Sequence, residues 1–184
     1  MSSLLFNFLF DFFLFCFPVL FIARNKKKFE LKKILAELGI KNPAPGFFFK
    51  KTTILFLQLF AVSIALSIAF FAIGFNDTQS VFEAISAIKM QNIFLLFYLL
   101  FVRVAGEEVF FRGFLTAKIG IIPSSALFGL AHVFYGSIAE VIGAFFLGLI
   151  LSRAFVKNKN LMPNIFAHIF YNFFVLILAF SFGA

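Results

Sequence analysis

Ionisable side chains interrupt an otherwise apolar stretch in the middle of the chain. Glu107 and Glu108 are adjacent, and Arg103 and Arg112 flank them within a run that is otherwise apolar from Asn92 to Leu115. Burying a charge in hydrocarbon costs roughly 3 kcal/mol per residue on insertion scales, so such a cluster indicates a functional site inside a membrane. A carboxylate in such a site can take a proton from water as a general base.

Two further apolar segments contribute histidines. His132 follows Phe128 by four residues, and Asn172 follows His168 by four residues. Side chains at this spacing share one face of a helix. Counted from the end of each helix where the basic residues lie, Glu107, His132 and His168 are about 12 to 15 Å deep at 1.5 Å per residue. We therefore expect three helices to bring one acid and two bases to the same level.

A carboxylate and two imidazoles around one cavity allow two chemistries that residue spacing does not separate. In the first, Glu107 and His132 activate water, and His168 and Asn172 donate hydrogen bonds to the oxyanion of a peptide carbonyl. In the second, Glu107, His132 and His168 hold Zn²⁺ and leave an open position for water. The metalloprotease pattern H-E-x-x-H is absent from the sequence.

The composition indicates that these segments lie in a membrane. The sequence is 62% hydrophobic and 13% charged, whereas a soluble domain has roughly 25% charged residues. Apolar runs long enough to cross about 30 Å of hydrocarbon predict an all-α, polytopic membrane helical bundle with about six spans. These are expected at 4–23, 52–75, 92–118, 124–136, 137–156 and 161–182, the fourth being short for a full crossing. Capping-box spacing predicts a further short surface helix from Ser80 to Lys89.

The basic residues cluster in the connections between these spans. The formal net charge of +8 comes mainly from the 24–51 segment, Lys118 and the 153–159 segment, which lie on one side if the spans alternate in direction. The positive-inside rule makes that side cytoplasmic, with both termini outside. Lipid headgroups, not nucleic acid, are the expected partner of cations beside apolar spans. Residues 31–38 are spaced as a basic amphipathic helix on the headgroups, ending at Gly39, and Lys50 and Lys51 are expected to close the following loop.

Several other polar residues have predicted structural roles. Ser137 and Glu140 have capping-box spacing, which assigns both to the start of a helix. Asp11 lies deep in the first span without a partner in its own helix, so we expect it to be protonated or to face the bundle. Arg103 is expected to reach toward Glu140 from the neighbouring helix. Gly129 allows another backbone to approach close to His132.

Three motifs in order carry a family resemblance. E-E-x-x-x-R (Glu107, Glu108, Arg112), F-x-x-x-H (Phe128, His132) and H-x-x-x-N (His168, Asn172) resemble the motifs of the CPBP family of intramembrane proteases. That family includes the type II CAAX prenyl endopeptidases and Abi-like bacterial proteins linked to bacteriocin processing and self-immunity. The resemblance covers roughly 92–184, which we interpret as the core of one membrane domain spanning 1–184. Residues 1–91 add the first spans and the basic interfacial helix.

The resemblance implies a conical intramembrane cavity that is open to the cytoplasm, in which a peptide bond of a membrane-associated substrate is hydrolysed. Glu107 would activate water with His132, Glu108 would pair with Arg112, His168 and Asn172 would hold the oxyanion, and Phe128 would shape the substrate pocket. No cofactor is then required, although the family is often labelled a metalloprotease family, and Zn²⁺ on Glu107, His132 and His168 is the alternative. Because 184 residues is short for the family, prenylated substrates are not expected.

Two other functions fit the same residues. A catalytically silent membrane binding protein, such as a bacteriocin immunity factor or a scaffold, would need the helices but not the acid and bases. A proton-coupled transporter would use buried acids and histidines as a relay, although the chain has no internal repeat. The residue bias, with 35 Phe and no Trp, indicates an AT-rich bacterial genome. We therefore predict a multi-pass protease of the bacterial inner membrane that cleaves a peptide or protein near the bilayer, and leave its oligomeric state open.

Overall fold

The described part of the chain is built from helices. The computed structural model describes residues 2–24, 26, 28–75, 77 and 93–182, and these contain no strand. The helices are α1 (Ser2–Arg24), α2 (Leu31–Glu37), α3 (Pro45–Ala72), α4 (93–119), α5 (Ile121–Ala131), α6 (Ile138–Asn158) and α7 (Met162–Phe182). A 3₁₀ turn, Val133–Tyr135, links α5 to α6. The all-α prediction is confirmed, and the surface helix predicted over 80–89 lies outside the described residues.

Among the described helices, three are long and apolar enough to cross a membrane. They are α3, α6 and most of α7, Met162–Ser181. α5 has 11 residues and a length of about 16 Å at 1.5 Å per residue, as expected for a segment too short to cross alone. The structure thus supports a polytopic membrane protein, and three of the six predicted spans have the length and composition for a crossing.

The second predicted span begins earlier than its apolar run. α3 starts at Pro45, whereas hydropathy predicts a start at Thr52. Proline is favoured at the first position of a helix, because its φ is already helical and the N–H that it lacks would have no partner there. Lys50 and Lys51 therefore lie in the first turns of α3, and their assignment to a loop is wrong.

α4 contains two π-helical stretches, Tyr98–Arg103 and Glu108–Thr116. Such stretches are rare and occur frequently at functional sites. The second is tied to α5 by buried hydroxyl groups. Thr116 Oγ1 and Ser124 Oγ donate hydrogen bonds of 2.8 and 2.6 Å to the carbonyl of Phe111. Hydrophobic periodicity alone does not predict either stretch.

Exposed lysine and arginine side chains mark one end of the bundle, which we term the basic end. The connections at this end contact each other. The amide of Leu161 donates to the carbonyl of Gly39 at 2.8 Å, and Lys118 Nζ lies 5.7 Å from the ring centre of Phe21. The basic side chains here are Arg24, Lys26, Lys28, Lys32, Lys33, Lys41, Lys50, Lys51, Lys118, Arg153, Lys157 and Lys159.

α2 packs into the protein at the basic end. It ends before Gly39, whose φ of +87° confirms the predicted helix stop. Ile34 and Leu38 are buried in a core cluster, so these apolar side chains of α2 pack against protein, and the position of the helix on the headgroups stays a prediction. The contact is close, since a Cβ on Gly113 of α4 would lie 2.7 Å from the carbonyl oxygen of Leu38.

The opposite end of the bundle is organised by Asp77, and we term it the Asp77 end. The Asp77 carboxylate accepts a hydrogen bond of 3.0 Å from Ser137 Oγ and others from the first backbone amides of α6. Ser137 Oγ in turn accepts from the amide of Glu140 at 3.0 Å, which confirms Ser137 as the N-cap of α6. A carboxylate here also complements the positive end of the helix dipole.

Candidate active site

A cavity of about 310 Å³ lies between α3, α4, α6 and α7. Four of the side chains with predicted catalytic roles line it: Glu107 from α4, His132 from the end of α5, and His168 and Asn172 from α7. The three motifs, separated in sequence, therefore reach one space. The walls are largely apolar and include Leu66, Phe70, Leu96, Leu99, Leu147, Val175 and Leu176.

Glu108 lies buried beside the cavity and connects three side chains. Its Oε1 is 3.0 Å from Nη1 of Arg112 and 2.9 Å from Nδ1 of His168. Asn164 Nδ2 approaches the other carboxylate oxygen at 3.4 Å. The predicted pair between Glu108 and Arg112 is thus present, and it extends to α7. Both charged side chains are 0% exposed, so each offsets the burial of the other.

This contact orients the His168 ring. An ionised carboxylate only accepts hydrogen bonds, so Nδ1 of His168 donates to Glu108. The Nε2 atom is left available toward the cavity that His168 lines. The expected oxyanion role of His168 uses this second nitrogen, which donates a hydrogen bond only when the ring is an imidazolium.

His132 is held by its own helix. Its Nδ1 is 2.8 Å from the backbone carbonyl of Phe128. A carbonyl oxygen only accepts, so Nδ1 carries the proton, and in the neutral ring Nε2 is an acceptor. This tautomer suits a ring that receives a proton from water or from a neighbouring acid.

Phe128 packs against the charged and imidazole groups. Its ring lies 3.9 Å below Cζ of Arg112, a cation–π geometry. Its ring centre is 4.7 Å from that of His132 and 6.1 Å from that of His168. The residue is 2% exposed. Its contacts therefore support the two imidazole rings, and the predicted role in binding substrate stays a prediction.

Close packing of α5 on α6 positions His132, as expected from the glycine near it. A Cβ on Gly129 would lie 2.9 Å from the carbonyl oxygen of Val141 and 3.1 Å from Cβ of Phe145. The prediction that Gly129 permits backbone approach is confirmed.

Asp11 and Arg103 are partners. Asp11 is 1% exposed, and its carboxylate accepts hydrogen bonds from Nε of Arg103 at 3.0 Å and from the Tyr98 hydroxyl at 2.8 Å. Asp11 thus faces the bundle, which was one of the two expectations for it. The expected contact of Arg103 with Glu140 is replaced by this ion pair, because α1 packs against α4. Arg103 and Glu140 both line the cavity.

Sequence reasoning missed several residues of the site. Asn164 is fully buried and donates to the carbonyl of Leu151 at 2.8 Å as well as approaching Glu108. It precedes His168 by the same four residues that separate His168 from Asn172, so its spacing was a usable signal. Tyr171 and Ser63 line the cavity and are 2.6 Å apart between their hydroxyl oxygens. Nothing in an apolar segment singles out such a pair.

Zinc binding by Glu107, His132 and His168 stays a prediction. Both histidines have Nδ1 engaged and Nε2 free, which is the usual orientation of metal-binding histidines. Among the described residues, however, no group of three or more His, Cys, Asp or Glu side chains is arranged to hold a metal ion.

Comparison with known proteins supports the resemblance of the three motifs. Residues 89–174 match the family model described as type II CAAX prenyl endopeptidase Rce1-like, and this segment contains the Glu107, His132, His168 and Asn172 positions. No curated protein and no solved structure matches the chain.

Proposed function

We propose that this chain hydrolyses a peptide bond of a membrane-associated polypeptide with water activated by glutamate and histidine, because residues 89–174 match the model of the Rce1-like type II CAAX prenyl endopeptidases, a family of membrane proteases. The observation that supports the proposal is the cavity shared by Glu107, His132, His168 and Asn172. An acid, two bases and an amide around one space are the groups that peptide hydrolysis needs.

In the proposed reaction, the Glu107 carboxylate takes a proton from water with the help of Nε2 of His132. The water oxygen forms a bond to the peptide carbonyl carbon and makes a tetrahedral oxyanion. Collapse of this intermediate breaks the C–N bond, and the proton passes through Glu107 or His132 to the leaving amine. General acid–base catalysis of this kind contributes typically about 10² to 10⁴-fold to the rate.

Donors on α7 stabilise the oxyanion in this proposal. Imidazolium His168 offers Nε2–H, and Asn172 offers its side-chain amide. Glu108 is a positioning residue, because it accepts a hydrogen bond from Nδ1 of His168 and so fixes the direction of the ring. Removing one such oxyanion donor typically costs about 10²–10³ in kcat.

We further propose that the protein is a multi-pass component of a bacterial inner membrane. The basic end faces the cytoplasm, and the N-terminal end of α1 and the C-terminal end of α7 face outward. The exposed lysines and arginines at one end support this orientation.

Substitution of Glu107 tests the proposed function. Purified Glu107→Gln protein in detergent or proteoliposomes should lose cleavage of a membrane-tethered peptide by about 10²-fold or more and keep the thermal unfolding midpoint of the wild type. Glu107 is only half-buried in the cavity wall, so the fold should tolerate the amide. Equal turnover by the two proteins would refute a Glu107-dependent hydrolase.

Chelation tests whether the reaction needs a metal. We propose a metal-free mechanism, so prolonged treatment with a zinc chelator should leave peptide cleavage unchanged, and elemental analysis of active protein should find less than one zinc per chain. Loss of activity that added Zn²⁺ restores would instead assign Glu107, His132 and His168 to a metal.

A further inference from the structure

The cavity and the basic side chains lie toward opposite ends of the bundle. On α7 the lining of the cavity runs from His168 to Leu176, and on α4 it runs from Leu96 to Glu107. α7 begins at the basic end and α4 finishes there. Both stretches therefore extend from the level of the candidate catalytic groups toward the Asp77 end.

The depth of the cavity follows from helix geometry. His168 is six residues from the start of α7 at Met162, and Leu176 is fourteen residues from it. At 1.5 Å per residue these positions are about 9 and 21 Å from the basic end of the helix. Glu107 and His168 thus lie at the floor of the cavity, and the walls that continue toward the Asp77 end are mainly apolar, with Arg103 and Glu140 among their polar side chains.

Packed protein separates the floor from the basic end. Glu108, Arg112 and Asn164 are fully buried next to the floor. A core cluster fills the space between them and the basic end; it includes Ile34, Leu38, Val109, Phe114, Phe155, Leu161 and Ile165. α2 and the segment before α7 both contribute to this cluster. A polypeptide approaching from the basic end would have to displace the core to reach His168.

Charge indicates which membrane side each end faces. Among the described residues, every exposed lysine and arginine lies in or beside the connections from α1 to α3, from α4 to α5 and from α6 to α7, which meet at the basic end. An excess of Lys and Arg in short connections marks the cytoplasmic side of a membrane protein, and anionic lipids of the cytoplasmic leaflet attract such clusters. At the Asp77 end, the Asp77 carboxylate caps α6.

We therefore infer that the candidate active site is entered from the extracytoplasmic side of the membrane. On the basis of the proposed function, its substrate is then a membrane-anchored polypeptide whose scissile bond lies in, or just above, the outer half of the bilayer. The apolar walls accept the hydrophobic side chains of this segment, and the polar floor receives its carbonyl group. The family resemblance implies a cavity that is open to the cytoplasm. In this fold the cavity extends away from the basic connections, so the cavity and these connections cannot both face the cytoplasm. The positive-inside rule places the basic connections there, and the inferred opening is therefore on the other side.

Cysteine accessibility tests the route without requiring activity. In a Cys16→Ala background, which removes the one native cysteine, single Ser67→Cys and Leu176→Cys variants probe the cavity lining. A membrane-impermeant maleimide should label both in intact spheroplasts. Lys157→Cys, at the basic end, should be labelled only in inverted membrane vesicles. Phe173→Cys provides a matched control on α7, because this exposed side chain does not line the cavity and should resist the reagent from both sides.

Two outcomes of the labelling would overturn the inference. The first is labelling of the Ser67→Cys and Leu176→Cys variants only in inverted vesicles, together with Lys157→Cys. The second is protection of both cavity variants from the reagent on both sides, because the inferred route requires an accessible cavity.

Paired reporters test the substrate side. Two single-span reporter proteins carry the same cleavable segment, placed at the outer boundary of the span in one and at the inner boundary in the other. Selective cleavage of the outer reporter, abolished by Glu107→Gln, supports the inference, and selective cleavage of the inner one overturns it while leaving the protease assignment in place. If neither reporter is cleaved, the proposed function and the substrate class are contradicted. The labelling of the cysteine variants would still decide the route of access.

Discussion

Glu107 and Glu108 are neighbours in the sequence and have different surroundings in the fold. Successive residues of a helix point about 100° apart, so Glu107 lines the cavity and Glu108 is directed into the protein. There Glu108 contacts Arg112 and His168. One carboxylate thus lines the cavity, and the other contacts the His168 ring.

Removal of the Glu108 charge should destabilise the protein. In the Glu108→Leu variant, Arg112 stays buried without its ionic partner, so we expect the free energy of unfolding to fall by about 3–5 kcal/mol. Replacing both charges, in Glu108→Leu with Arg112→Met, should recover most of that loss. Denaturant titration in micelles measures the stabilities, and equal values for the single and double variants would contradict the ion-pair account. Peptide cleavage should stay lost in both, because Nδ1 of His168 no longer has its acceptor.

Two asparagines on neighbouring turns allow a positioning role to be separated from a structural one. Asn164→Leu removes the contact with Glu108 and should lower kcat by up to about 100-fold, the effect of small misplacement of a catalytic group, with KM little changed. Asn160→Ala removes an α7 cap, because Asn160 accepts from the amide of Met162 at 2.9 Å. It should cost about 1 kcal/mol of stability and leave kcat normal. Equal losses of kcat in the two variants would argue that Asn164 acts only through stability.

At the scale of the helices, close packing and long-range ion pairs determine where each face of a helix points. Asp11 and Arg103 join α1 to α4 across 92 residues of sequence. Gly113 allows α4 to approach the end of α2, and Gly129 allows α5 to approach α6. Gly113 and Gly129 thus help to position two parts of the site: Glu108 with its partners Arg112 and His168, and His132.

Gly129→Ala tests the packing of α5 on α6. The added Cβ would lie 2.9 Å from a backbone oxygen, which the helices can relieve only by moving apart, so we expect a loss of about 1–3 kcal/mol. Gly143→Ala is the matched control, because a Cβ there meets nothing within 4 Å. Alanine should slightly stabilise the helix at that position. Thermal unfolding of both variants in the same detergent makes the comparison, and a stable Gly129→Ala protein would show that the approach of the helices is not required.

At the scale of the whole molecule, the surface outside the cavity is apolar. Large hydrophobic side chains are exposed on every described long helix, with Phe71 of α3 at 87%, and Phe134 in the 3₁₀ turn is 91% exposed. Such a surface far exceeds the apolar patches of soluble monomers and fits acyl chains. The formal charge of +8 is concentrated at the basic end, where headgroups are available.

This surface predicts behaviour during fractionation. The protein should stay in the membrane pellet after an alkaline carbonate wash and enter solution only with detergent, because water would otherwise contact the exposed phenylalanines. Immunoblotting of both fractions measures this. Release by carbonate would mean that the helices lie on the membrane and do not span it.

Hydropathy and residue spacing in the sequence were sufficient to predict a large part of the fold and of the candidate site. Hydropathy over runs of 20 residues locates α3, α6 and α7, because each span has to cover the hydrocarbon by itself. The spacing of four residues predicts the pair between Glu108 and Arg112, since both lie on one helix. The motif residues on three segments likewise predicted four of the polar groups that line the cavity, Glu107, His132, His168 and Asn172.

Tertiary structure alone decided what depends on contacts between distant helices. The partner of His168 is on α4, that of Asp11 is also on α4, and the end of the bundle at which the cavity lies depends on all the lining helices. Hydrophobic periodicity shows that a face is apolar but not which neighbour or lipid covers it, as the buried face of α2 demonstrates. The rotation of each helix follows from packing at its glycines and buried ion pairs, and that rotation determines which acid lines the cavity.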